Sequence, residues 1–252
     1  MTSRLDAKGM SKHFYGVRAV ESVDLDVRSG EIHGLIGPNG SGKTTMLNLL
    51  SGYYKADAGA LEYSGRVISA LSVQERAKLG IARTFQTPRL LGALTVLENV
   101  TLGAWNNVNP TFLKSMLRTP GLVASEQENI ERSRDLIDAV GLGYASGRIA
   151  GTLDHSEQRF VEIARALAMR PQIVLMDEPA GGLTEDEIDQ LATIVTTIRA
   201  ANISVLIVEH HTEFVFEISD RVTTLDLGRV IAHGTATEVR NDPEVRRVYL
   251  GG

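Results

Sequence analysis

Gly37-Pro-Asn-Gly-Ser-Gly-Lys43-Thr-Thr45 is the stretch on which the reading of this chain turns. It fits the phosphate-binding pattern G-x-x-x-x-G-K-[ST]. The apolar run Ile32 to Ile36 before it reads as a strand, and Met46-Leu47-Asn48-Leu49-Leu50 behind it reads as the start of a helix. Strand, glycine loop and helix in that order are the context the pattern requires. The glycines let backbone N–H groups wrap phosphates, and the helix N-terminus adds its partial positive charge. Gly37, Pro38, Asn39, Gly40, Ser41, Gly42, Lys43, Thr44 and Thr45 are therefore the expected nucleotide-binding residues. Lys43 can reach the β- and γ-phosphates, and the Thr44 hydroxyl can ligate Mg²⁺. The stretch predicts a nucleoside triphosphate site.

A chain of 252 residues is long enough for one large α/β domain or two small ones. Its 43% hydrophobic content predicts an ordered globule. The net charge of −5 argues against a dedicated nucleic-acid binder, whose surface is expected to be basic. There is no cysteine, so disulfides and thiol chemistry are excluded. No apolar signal segment is read at the N-terminus, and no window approaches the ~18 consecutive apolar residues of a membrane span. Work at a membrane would need another polypeptide as anchor.

Ala19 to Val27 alternates weakly (Val20, Val23, Leu25, Val27), as half-buried strands do, and Asp57 to Val67 resembles it, with Gly59 and Gly65 at turns. Both segments predict an antiparallel β layer beside a nucleotide core. From Ser72 to Val140 the pattern is helical and irregular, interrupted by Pro88, Pro110 and Pro120. Glu126 to Val140 is the clearest helix of that stretch, with Gly141 at its end. The region, roughly residues 88–165, is expected to be a helical subdomain inserted in the core. A further helix is expected over Gln158 to Met169. Ile173–Met176 and Ser204–Val208 are short apolar runs suited to strands buried on both faces of a parallel sheet. Between them Thr184 to Ala200 predicts a helix capped by Thr184, acidic in its first turn and buried along Ile188, Leu191, Ile194, Val195 and Ile198.

The strand Ile173–Met176 runs into Asp177-Glu178-Pro179, an acidic pair at the C-terminal edge of a parallel sheet, where ligands sit. Asp177 can hold Mg²⁺ through water, and Glu178 can polarise a water for attack on the γ-phosphate.

With Ala180-Gly181-Gly182-Leu183 following, this stretch resembles the Walker B and D-loop of ATP-binding cassette (ABC) ATPases. The resemblance spans nearly the whole chain and implies the α/β P-loop NTPase fold of that family: a mostly parallel core sheet, an antiparallel β layer and an inserted helical subdomain in a single ATP-binding domain, residues 1–252. It implies ATP and Mg²⁺ as ligands. Phe14, five residues before Ala19, matches the aromatic that stacks on adenine, with Tyr15 as the alternative. Gln86, in Arg83-Thr-Phe-Gln86, matches the glutamine that touches Mg²⁺ and the attacking water and lies against the transmembrane partner. His210 matches the switch histidine that contacts the γ-phosphate, with His211 as its competitor. Arg83 to Leu90, Leu94 to Val100, Ile218 to Val222, Leu225 to Ala232 and the tail from Asp242 to Gly251 resemble the ATPases of branched-chain amino acid, amide and urea importers.

Two departures from the family stand out. Its Leu-Ser-Gly-Gly-Gln signature falls here on Leu153-Asp154-His155-Ser156-Glu157, which places Asp154 and Ser156 where serine and glycine meet the γ-phosphate bound by the opposite subunit. Like charges ~4 Å apart at an effective dielectric near 20 repel by up to roughly 4 kcal/mol. Alternatively Asp154 turns away and caps the following helix. Thr184 also replaces the D-loop aspartate. The resemblance thus implies a peripheral ATPase on the cytoplasmic face of the inner membrane, serving separate permease subunits and, indirectly, a periplasmic or lipoprotein solute-binding protein. Its companion is a second cassette ATPase, a different one being favoured over a homodimer because its own nucleotide set is intact beside an altered signature. No nucleic acid is expected. The competing class is a soluble cassette ATPase acting on nucleic acid or protein complexes.

Overall fold

The computed structural model describes residues 5–104 and 120–250; the interruption expected at Pro110 and Gly251, the end of the family-like tail, lie outside them. The chain divides into two compact units, Met1–Gln86 with Gln172–Gly252, and Thr87–Pro171. No helix among the described residues is long and apolar enough to cross a membrane.

The first unit holds two sheets. In one, β1 (Leu5–Phe14) pairs antiparallel with β2 (Val17–Val27), whose Val20, Val23, Leu25 and Val27 face inward. The other is built on β3 (Ile32–Ile36), which leads into the glycine loop and α1 (Lys43–Ser51). The antiparallel sheet is completed by β4 (Ala58–Tyr63) and β5 (Arg66–Val67), in the order β2-β1-β4-β5. Gly59, expected at a turn, sits inside β4 with φ +91°, where an added Cβ would lie 2.5 Å from the Gly9 carbonyl. The register between β1 and β4 shifts at this point, so the glycine serves a bulge.

The six-stranded core sheet adds β6 (Ile81–Arg83), β7 (Ile173–Asp177), β8 (Ser204–Val208), β9 (Arg221–Asp226) and β10 (Arg229–Thr235), in the order β10-β9-β3-β8-β7-β6. All neighbours are parallel except the β9–β10 hairpin. Every residue of β3, β7 and β8 is buried, as both-face coverage demands. Met46, Leu47, Leu49 and Leu50 of α1 join Val23, Leu25, Leu35, Leu175 and Leu206 in one apolar cluster, so the helix behind the glycine loop is anchored in the core. The short α2 covers Val73–Lys78.

The second unit is helical: α3 (Val96–Ala104), α4 (Pro120–Ala139) and α5 (His155–Ala168). A Cβ at Gly103 would stand 2.2 Å from the Arg165 carbonyl, so this glycine sets how closely α3 approaches α5. α4 starts earlier than the expected Glu126 and stops before Gly141, which takes φ +80°. α5 starts three residues before the expected Gln158, because Asp154 caps it. In the first unit, α6 (Glu185–Ala200) buries Leu191, Ile194, Val195 and Ile198. Thr184 is its N-cap residue, and the Glu187 carboxylate accepts the Thr184 N–H at 2.7 Å, the reciprocal bond of a capping box. The chain then continues through α7 (Thr212–Ile218), α8 (Ala236–Asn241) and α9 (Pro243–Leu250).

Candidate nucleotide site

The glycine loop is held open from beneath. Gly42, at the N-cap of α1, has φ +104°, and a Cβ there would stand 2.3 Å from the Ala19 carbonyl. Gly40 has φ +80° with nothing near its missing Cβ, so the loop presents bare backbone to the cleft. Lys43 is 5% exposed, and its ammonium donates to the carbonyls of Gly37 at 2.6 Å and Pro38 at 3.0 Å. Burial lowers its pKa, while Glu178, Glu209 and Asp177 pull the other way. A cation so placed at the start of α1 has the chemistry to receive a phosphate. The cleft is about 400 Å³ and is lined by Asn39 to Thr45, Glu178, Val17, Arg18, Ala19 and Leu227.

Leu227 was not legible in the motif. It sits at the β9–β10 turn, 80% exposed and with φ +45°, and its neighbour Gly228 donates to the Ser41 carbonyl at 3.0 Å. The Gly228 carbonyl accepts the Glu21 N–H at 2.8 Å, so the hairpin tip is fastened to both the glycine loop and β2. Phe14 lies edge-on to Tyr54, ring centres 5.3 Å apart, with the Lys12 ammonium 5.5 Å over it. Tyr15 is fully exposed. Val17, rather than either aromatic, is among the residues that line the cleft.

Across the cleft, β7 ends on Asp177, 5% exposed and paired with Arg83 at 2.9 Å. Glu178 follows in a left-handed conformation, φ +46°, and its N–H is held by the Val208 carbonyl at 2.8 Å. A non-glycine residue there is strained, and such strain clusters at functional sites. The Gln86 amide donates to Glu178 Oε2 at 2.8 Å, and His210 Nδ1 lies 3.8 Å from the same oxygen. Glu178, Gln86 and His210 thus meet at one carboxylate, which shares the cleft lining with Lys43 and Thr44. The His211 backbone N–H, like that of His210, is held by Glu209, and of the two it is the His210 ring that stands near Glu178.

Glu209 is the site residue that motif reading passed over. It is wholly buried: Oε1 accepts the Ala180 N–H at 2.7 Å, and Oε2 accepts the His210 N–H at 3.0 Å. The only sequence signal was a charged residue directly after a continuous apolar strand.

The hydroxyl of Thr44, the carboxylate of Asp177 and the amide oxygen of Gln86 are hard oxygen donors of the kind Mg²⁺ takes when phosphates complete its sphere. Among the described residues no group of three or more His, Cys, Asp or Glu could hold a metal unaided.

In the second unit, Asp154 is the N-cap of α5. Its Oδ1 accepts the Glu157 N–H at 2.8 Å and the Ser156 hydroxyl at 2.9 Å, and the Glu157 carboxylate accepts the Asp154 N–H at 3.0 Å. Of the two readings of Asp154, the structure has the capping one, and Ser156 is drawn into the same cap.

A buried lysine beneath a bare glycine loop, facing a strained glutamate at the edge of a parallel sheet, defines a nucleoside-triphosphatase. The ABC transporter family model matches residues 20–181, and the model of the branched-chain amino acid ATP-binding cassette transporter matches residues 229–252. The high-affinity branched-chain amino acid transport ATP-binding protein BraF of Pseudomonas aeruginosa is 37% identical, over 98% of this chain and 97% of its own. LivG of Escherichia coli, with the same description, is 36% identical over the same shares. A crystal structure of the ADP conformation of MJ1267, an ATP-binding cassette of an ABC transporter, superposes with TM-score 0.86 at 31% identity, covering 100% of both chains. The chain belongs to the ABC transporter ATPases: it binds ATP and hydrolyses it. The competing reading, a non-transport cassette acting on nucleic acid or protein complexes, is not favoured by these relatives.

Proposed function

We propose that this chain powers import of branched-chain amino acids, or of related amides or urea, as the peripheral ATPase subunit of a transporter at the cytoplasmic face of the inner membrane. The observation that carries this reading is similarity across 98% of the chain to ATP-binding proteins of branched-chain amino acid transport. Its partners are permease subunits in the membrane, a second cassette ATPase and, indirectly, a solute-binding protein.

Within the site, Lys43 and the amides of the glycine loop seat the β- and γ-phosphates, and Val17, which lines the cleft where Phe14 does not, is the nearer apolar side chain for the base. Thr44, Asp177 and Gln86 would hold Mg²⁺, which neutralises phosphate charge when bound. Glu178 takes the proton of the attacking water. Gln86, which donates to Glu178 at 2.8 Å, orients that carboxylate and the water beside it. His210 donates to the γ-phosphate as it leaves. Closure of two ATPases over two nucleotides, and reopening after hydrolysis, transmits the cycle to the permeases. The companion is a different ATPase, because the loop this chain lends it carries Asp154 and Ser156 in place of serine and glycine.

Co-expression with candidate permease subunits in membrane vesicles tests this. The expected result is a complex that takes up leucine, isoleucine or valine with ATP and a solute-binding protein. A chain that stays free of membrane subunits and co-purifies with nucleic acid would overturn it.

A further inference from the structure

Arg83 ends β6, three residues before Gln86, and the established motifs assign it nothing. Its side chain is 9% exposed, and its guanidinium reaches two elements at once. Nη2 donates to Asp177 Oδ2 at 2.9 Å, while Nη1 donates to Asn48 Oδ1 at 2.6 Å and to Ser51 Oγ at 2.8 Å on the helix that follows the glycine loop. The rings of Tyr53 and Phe85 lie 5.2 and 5.1 Å from its central carbon, and they meet each other edge-on at 5.9 Å. The two rings, perpendicular to each other, thus flank the guanidinium together.

We infer that Arg83 is a positioning residue for Asp177. It fixes one orientation of the carboxylate and ties the end of β7 to the phosphate-loop helix and to the strand that delivers Gln86. The chemistry favours arginine specifically. A planar fork can bond a carboxylate with one nitrogen and two neutral oxygens with the other, and can stack on rings, whereas an ammonium is a point charge that does neither well. A buried carboxylate also needs a fixed countercharge, and Arg83 supplies one without occupying the cleft. Outer-shell partners of this kind orient metal ligands and influence affinity for the ion.

The inference rests on the reading of Asp177 as the magnesium carboxylate, so the test separates the two. A fluorescent ATP analogue is titrated onto the full chain in EDTA and over a range of Mg²⁺, for wild type, Arg83→Gln, Arg83→Lys and Asp177→Asn, with melting temperatures taken without nucleotide. Arg83→Gln is expected to raise the Mg²⁺ needed for half-maximal enhancement by about tenfold or more. Its affinity in EDTA should be unchanged, and Arg83→Lys should fall between the two. Should Arg83→Gln not fold, Arg83→Lys decides by the same readout. If Asp177→Asn shifts the Mg²⁺ requirement and the folded Arg83 variants keep the wild-type value, the role given to Arg83 is wrong. If Asp177→Asn leaves the requirement unmoved, the magnesium assignment of Asp177 itself fails.

Discussion

The Ala180 N–H donates to Glu209 Oε1 at 2.7 Å, joining the turn beyond Asp177-Glu178 to the strand end that carries His210. Through its other oxygen Glu209 also fixes the N–H groups of His210 at 3.0 Å and His211 at 3.3 Å. One buried carboxylate therefore sets the backbone on both sides of the Glu178 side chain. Glu209→Ala would strand the buried Ala180 N–H and remove the acceptor of the His210 and His211 N–H groups, at about 2–3 kcal/mol in total. Glu209→Gln keeps one acceptor and should cost about half as much. Chemical denaturation checks both, and ATP turnover should fall in the same order. A Glu209→Ala protein as stable as wild type would show that the brace is dispensable.

Asp154 allows a second prediction. Its carboxylate is engaged by the Glu157 N–H and the Ser156 hydroxyl of its own helix. Asp154→Ala should cost about 1 kcal/mol in stability, whereas Asp154→Ser retains a capping oxygen and should cost much less. Because the charge is turned into its own helix, the full ~4 kcal/mol repulsion, close to a thousandfold in rate, is not expected at the composite site. Asp154→Ser with Ser156→Gly should raise ATP turnover severalfold. Steady-state hydrolysis by the purified chain decides, and an unchanged or slower double variant contradicts an impaired signature.

Lys43 has a role that can be separated from stability. In the structure its ammonium is buried against the carbonyls of Gly37 and Pro38, and burial lowers its pKa. Keeping a desolvated cation is costly, so Lys43→Met should melt no lower than wild type without nucleotide. ATP should then fail to raise its melting temperature. A variant that is still stabilised by ATP would remove Lys43 from the phosphate seat.

Gly37 to Thr45 could be read directly because the loop's chemistry depends on contiguous residues, and α6 because its cap, acidic first turn and apolar stripe agree. β1 is interleaved with Lys8, Lys12 and His13, and β6 has only three residues, too few to show a period. The helix start at His155 was masked because its cap, Asp154, occupies a position read first as a phosphate contact. Leu227, Glu209 and Arg83 stayed hidden for a different reason. Each acts through neighbours distant in the chain, such as Gly228 with Ser41, Glu209 with Ala180 and Arg83 with Asp177. No local spacing encodes such pairs.

Glu178, strained at φ +46° and held by Gln86, is proposed as the base that activates water. The most direct measurement is ATP binding and single-turnover hydrolysis by Glu178→Gln beside wild type. Glu178→Gln is expected to keep its affinity for ATP in the presence of Mg²⁺ while its chemical step slows by about 10²–10⁴. A Glu178→Gln protein that binds ATP normally and hydrolyses it at the wild-type rate would contradict that role.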